Sequence, residues 1–225
     1  FIAFIPGCLA VLASFFLKDK GILKTPEKKS TPFFSFIKYW KVSPPAYRKL
    51  VTGLLAFTLF NSSDLFLILK AKQAGFDDSV VIGLYIFYNL IYALCAFPLG
   101  VFADRIGLKK MFVFGLFVFA SVYFGMGLSN NVYVLAALFF LYGIYAAATE
   151  GISKAWISNI SDKKDTATAI GTYSGFQSIF TMIASALAGF IWYRFGSNTA
   201  FLLTAFATVV ISIYFITVPK PAIAQ

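Results

Sequence analysis

The sequence predicts an all-α, polytopic membrane protein, and three observations lead there. Of 225 residues, 60% are hydrophobic and only 12% are charged, about half the charged share of a soluble domain. Seven apolar runs can be drawn, at roughly 1–17, 50–69, 79–103, 108–128, 132–155, 166–193 and 198–218. At about 1.5 Å rise per residue each can cross a hydrocarbon core of about 30 Å as a helix, the first only barely. Finally, the basic residues flank these runs instead of forming one face. The net charge of +10 therefore reads as membrane topology and excludes a nucleic-acid partner.

Composition also narrows the chemistry. There is no His, hence no His-ligated metal and no His base. Cys8 and Cys95 lie inside separate apolar runs and form no CxxC pair, so they read as inert buried thiols. No catalytic residue, metal site or cofactor is expected, and an enzyme is not. The abundance of Phe, 28 residues, suits lipid-facing surface.

The chain opens on Phe1-Ile2-Ala3, already inside an apolar run, as a partial chain would. Residues 1–17 read as one transmembrane helix. Residues 18–49 are the long connection, a basic linker punctuated by Pro26, Pro32, Pro44 and Pro45. Within it Phe33-Phe34-Ser35-Phe36-Ile37-Lys38-Tyr39-Trp40-Lys41 mixes aromatics with Lys and should lie in the membrane interface. Residues 50–218 carry six further spans, and 219–225 form a short tail. With 18–49 placed inside, sixteen of the nineteen basic residues fall on the inner side. The positive-inside rule then puts 18–49, the turn near 104–110, the segment near 154–165 and the C-terminus in the cytoplasm.

The spans at 79–103 and 108–128 are joined by Gly100-Val101-Phe102-Ala103-Asp104-Arg105-Ile106-Gly107-Leu108-Lys109-Lys110. Gly100 and Gly107 permit a tight reversal, and Arg105, Lys109 and Lys110 hold it inside. The pattern Gly-x-x-x-Asp-Arg-x-Gly-x-Lys-Lys between two spans resembles the signature loop of the major facilitator superfamily of transporters. The family usually has a basic residue after the second Gly, where this chain has Leu108. A long basic inner loop followed by six spans, with the motif after the second of them, is similar to the second half of a twelve-helix member. Asn61-Ser62-Ser63-Asp64-Leu65-Phe66-Leu67-Ile68-Leu69-Lys70 and Thr149-Glu150-Gly151-Ile152-Ser153-Lys154-Ala155 resemble a bacterial subgroup. The resemblance implies a six-helix half-bundle preceded by the last helix of an N-terminal half, in a bacterial inner membrane. It also implies a gate in which Asp104 meets a basic partner, with Arg105, Lys109 and Lys154 as candidates and Glu150 completing the cluster. Glu150 and Lys154, four apart, can pair.

Polar residues mark four of the six spans. Asn61 and Asp64 are three apart. Tyr85, Tyr88, Asn89 and Tyr92 follow i, i+3, i+4, i+7. Tyr142 and Glu150 lie on one line, and Tyr173, Gln177, Thr181 and Ser185 are each four apart. Four such stripes suggest one shared aqueous cavity. The spans at 108–128 and 198–218 lack them and are expected outside. Small-residue rows, Gly143-Ala147-Gly151 and Gly171-Gly175, read as close-packing faces.

The expected function is secondary active transport of a small solute by alternating access. A carboxylate in mid-bilayer needs water or a partner, so Asp64 is the candidate for proton coupling. The partners expected are the solute, the bilayer, protons and the N-terminal half. A non-transporting seven-span receptor or scaffold, or a fragment inactive without that half, is the alternative.

Overall fold

The computed structural model describes residues 35–217 and, before them, Leu12 alone. The helix expected at 1–17, the linker to residue 34 and the tail at 219–225 lie outside the described residues. From Ser35 onward the order is α1 Ser35–Val42, α2 Pro45–Phe60, α3 Leu65–Gln73, α4 Asp78–Ile106, α5 Leu108–Leu128, α6 Val132–Ile160, α7 Thr166–Phe195 and α8 Ser197–Thr217.

Among the described residues, six stretches are long and apolar enough to cross a membrane: Pro45–Gln73, which joins α2 and α3, then α4, α5, α6, α7 and α8. The protein is thus an all-α, multi-pass membrane protein. Several boundaries move. The first of these spans starts at Pro45, five residues earlier than the apolar run, because a proline at the first helical position loses no hydrogen bond and is already at a helical φ. The α4 and α6 helices run on to Ile106 and Ile160, so Asp104 stands in the last turn of α4 and Lys154 inside α6, neither in a loop.

The reversal after α4 is a single residue. Gly107 has φ +97°, closes α4 through its N–H to the Ala103 carbonyl at 2.8 Å, and precedes the first residue of α5. Gly196 makes the same turn between α7 and α8, with φ +84°. Side chains avoid that region, which is why glycine stands at both.

The span Pro45–Gln73 is broken at Asn61-Ser62-Ser63-Asp64. Short polar side chains compete there with the backbone ladder: Ser63 Oγ accepts the Leu65 N–H. The Phe66 N–H then restarts the helix on the Ser63 carbonyl at 3.0 Å. Asn61 and Asp64 therefore do not share one helical face; they stand on the two sides of a break.

The most extensive packing is α5 with α6, α5 with α8, and α4 with α6. An aromatic core holds α2, α5, α6 and α8 together. Phe57 meets Phe119 at a centroid distance of 5.1 Å, Phe112 meets Phe215 at 5.0 Å, and Phe119 stacks on Tyr123 at 4.1 Å. Such pairs add about 0.5–1.5 kcal/mol each beyond area burial. Phe112, Phe119, Phe139 and Phe215 are buried, so part of the Phe content serves the interior and not the lipid face. The α5 helix is correspondingly more enclosed than a peripheral span: 56% of its most apolar window is buried, against 11% for α4 and 6% for α7.

α1 lies against the same bundle, with Tyr39 edge-on to Tyr47 at 5.4 Å and Trp40 edge-on to Phe176 at 5.5 Å.

Candidate functional site

The break at 61–64 opens onto a cavity of about 580 Å³. Its walls come from α2, the break, α3, α4, α6 and α7; no residue of α5 or α8 lines it. At its centre is Asp64, half-buried. The Tyr88 hydroxyl donates to one carboxylate oxygen at 2.5 Å and the Tyr142 hydroxyl to the other at 2.6 Å. Two phenols from α4 and α6 thus converge on one carboxyl carried between α2 and α3. Hydrogen bonds to a charged acceptor are about twice as strong as neutral ones, which lets an acidic group persist inside an apolar bundle.

Around this centre the rings form one surface. Tyr88 packs edge-on to Tyr142 and to Tyr85, each at 5.2 Å, and Tyr142 lies 5.2 Å from Tyr145. Asn61 Nδ2 donates to the Tyr145 hydroxyl at 2.9 Å. The Asn61 side-chain oxygen is enclosed and has no hydrogen-bond partner among the described residues, and the Tyr123 hydroxyl lies beside Ser62.

The sequence stripes divide on this geometry. Asn61, Asp64, Tyr85, Tyr142, Gln177 and Thr181 line the cavity, and Glu150 joins them. Tyr88 is buried behind the wall and acts through its bond to Asp64. Asn89 turns its amide back to the Tyr85 carbonyl at 2.8 Å. Tyr92 stands one turn further and lies against Glu150. Tyr173 is buried 3% exposed, beside Thr58 and Ser153, and is part of the packing between α2, α6 and α7. Thr58, Ser62, Ser63 and Tyr145 also line the cavity and were missed. Thr58 and Tyr145 each lie three residues from a chosen position, so extending the stripes by one turn would have found them.

At the Gly107 end the arrangement is open. Among the described residues the ion pair is Lys72 with Asp78. Asp104, Arg105, Lys110, Glu150 and Lys154 form none, and the expected Glu150–Lys154 pair is absent. Glu150 and Lys154 are both solvent-exposed, where an i, i+4 pair contributes only about 0.3–0.5 kcal/mol; nothing compels it. Lys109 donates to the Ile216 carbonyl at 3.0 Å and so ties the start of α5 to the end of α8. No residue lies within 4 Å of a side chain built on Gly100.

The family model of the Major Facilitator Superfamily matches residues 71–225. The chain belongs to the Major Facilitator Superfamily. Over 198 residues it is 33% identical to an uncharacterized MFS-type transporter of the archaeon Methanocaldococcus jannaschii. That match covers 85% of this chain and 48% of the relative, so the chain spans about half the length of the curated relative it matches. The relative is archaeal, and the expected bacterial branch is not carried further. Within this superfamily chain, the helices α4 and α7 keep most of their apolar surface uncovered.

Proposed function

We propose that this chain is the C-terminal half of a secondary transporter that moves a small solute by alternating access, with the Asp64 cavity as its share of the pathway. The observation that carries the reading is a polar cavity, centred on a carboxylate at a helix break, walled by four membrane spans. Broken helices at mid-membrane bring polar groups to a solute where unbroken ones cannot. The N-terminal half would cover the exposed sides of α4 and α7 and close the cavity from across. The basic distribution supports the Gly107 end as cytoplasmic. There Asp104, Arg105, Lys109, Lys110, Glu150 and Lys154 surround the place where an inner gate would close.

Asp64 is the proposed proton carrier. It is the carboxylate that two phenols hold inside the bundle, at a break in a membrane span. The complete transporter, reconstituted in vesicles, should show flux of one or more solutes that responds to an imposed pH gradient. Asp64→Asn should lose accumulation driven by that gradient. Accumulation by the variant at the wild-type level removes Asp64 from the coupling; no solute flux in either direction across a broad screen removes the transporter reading itself.

A further inference from the structure

The charge of the cavity wall is one-sided. Asp64 and Glu150 both line it, from the α2–α3 break and from α6, and no Lys or Arg is among the lining residues. The basic residue nearest along the chain, Lys154, is exposed one turn beyond Glu150. Lys70, in the same span as Asp64, is buried elsewhere and donates to Asn198 at 2.8 Å. Asp64 is held by two phenol donors and Glu150 reaches solvent, and no basic side chain among the cavity's lining residues neutralises either.

Two further features point to what fits. The rings of Tyr85, Tyr142 and Tyr145 form part of the lining, and aromatic faces attract cations within about 6 Å of the ring centre. A ligand bearing positive charge satisfies the carboxylates and the ring faces; an anion satisfies neither. The space, about 580 Å³, is that of pockets which hold drug-sized molecules. It exceeds what a bare metal ion requires, and no group of three acidic, His or Cys side chains suited to a metal occurs among the described residues.

We propose that the solute taken into this cavity is an organic cation, an ammonium carrying an apolar or aromatic body, with its charge on the Asp64 and Glu150 side and its body against Tyr85, Tyr142 and Tyr145. This rests on the transporter reading. Acceptors and ring faces line the cavity together: Tyr142, Tyr145 and Glu150 stand on α6 and Tyr85 on α4. A carboxylate neutralises one positive charge at a time, so proton and ammonium exclude each other at Asp64.

The test uses three probes with the same ring: benzyltrimethylammonium, benzyl alcohol and benzoate. Each is titrated against the complete transporter in detergent, with binding followed by calorimetry and by the shift in melting temperature. The quaternary ammonium is expected to bind at least about tenfold more tightly than either other probe. Asp64→Asn should weaken it by about thirtyfold or more, as loss of one partner of a desolvated charge pair does. Tyr85→Ala should weaken it by roughly threefold to thirtyfold, and it leaves the Asp64 hydrogen bonds in place should the Asp64 variant fail to fold. Equal or tighter binding of benzoate, or undiminished cation binding in Tyr85→Ala together with Asp64→Asn, overturns the proposal. The transporter reading is separately read in vesicles: flux of neutral or anionic solutes alone keeps that reading and rejects the cation.

Discussion

Replacing Gly143 with valine is expected to separate α4 from α6 and lower the stability of the bundle by about 1–3 kcal/mol or more. A Cβ at Gly143 would stand 2.7 Å from the Tyr88 carbonyl oxygen and 2.8 Å from Ile91 Cβ. The first of these is backbone inside a helix, which cannot rotate aside, so the two helices must move apart. They are also the two helices that bring Tyr88 and Tyr142 to Asp64. The damage should therefore reach the site and not only the melting point. Gly171→Ala is the matched control, because nothing lies within 4 Å of a Cβ there. It should be neutral, or stabilising by up to about 1 kcal/mol from helix propensity. Thermal melting in detergent of both variants checks this; a Gly143→Val protein as stable as Gly171→Ala refutes the close packing of α4 on α6.

Asp64→Leu carries the second large effect. It leaves two phenol hydroxyls, on Tyr88 and Tyr142, without their acceptor, and both tyrosines are buried, at 6% and 3% exposure. Each stranded hydroxyl costs about 1–3 kcal/mol, offset in part by no longer keeping a carboxylate from water. Function should suffer more than folding. With the carboxylate gone, the affinity for the proposed cationic solute should fall by about thirtyfold or more, and flux with it. Adding Tyr88→Phe and Tyr142→Phe to Asp64→Leu should restore stability without restoring flux, since the stranded donors are then removed as well. Melting curves and vesicle flux on the wild type, Asp64→Leu and the triple variant separate the two contributions. Recovery of flux in the triple variant would show that Asp64 serves packing alone.

The membrane spans were legible because hydropathy over some twenty residues is a property of the chain itself. The break at 61–64 was not. Leucine and phenylalanine on both sides make one continuous apolar run from 50 to 69, and the polar group inside it fits a stripe on a helix as well as an interruption. Only the competition of Ser63 Oγ for the Leu65 N–H decides for the interruption. The aromatic content was ambiguous for a related reason. Phe112 in the core and Phe114 on the surface are two residues apart on the same helix, and composition treats them alike.

Among the site residues, those on the chosen stripes were found, and Thr58 and Tyr145, one turn beyond a chosen position, were missed. Tyr142 and Gln177 were recovered from stripes, and both line the cavity. Glu150 was read both on the Tyr142 stripe and as the partner of Lys154; it lines the cavity and lies against Tyr92 of α4, and the pair with Lys154 does not form. The small-residue rows divided in the same way. Gly143 meets another helix closely, whereas Gly151 and Gly171 have nothing within 4 Å of a Cβ, because close packing depends on which helix arrives and not on the row itself.

The claim that the Asp64 cavity is a passage, open to each side of the membrane in turn, is tested most directly by labelling at Thr181. Thr181 lines the cavity from α7 and is not among its hydrogen-bonding groups. In the complete transporter freed of other cysteines, Thr181→Cys in sealed vesicles of known orientation is exposed to a membrane-impermeant maleimide from one side and then from the other. The account predicts labelling from both sides, with a bound solute slowing both. Labelling from one side only, unchanged by solute and by pH gradient, would contradict it.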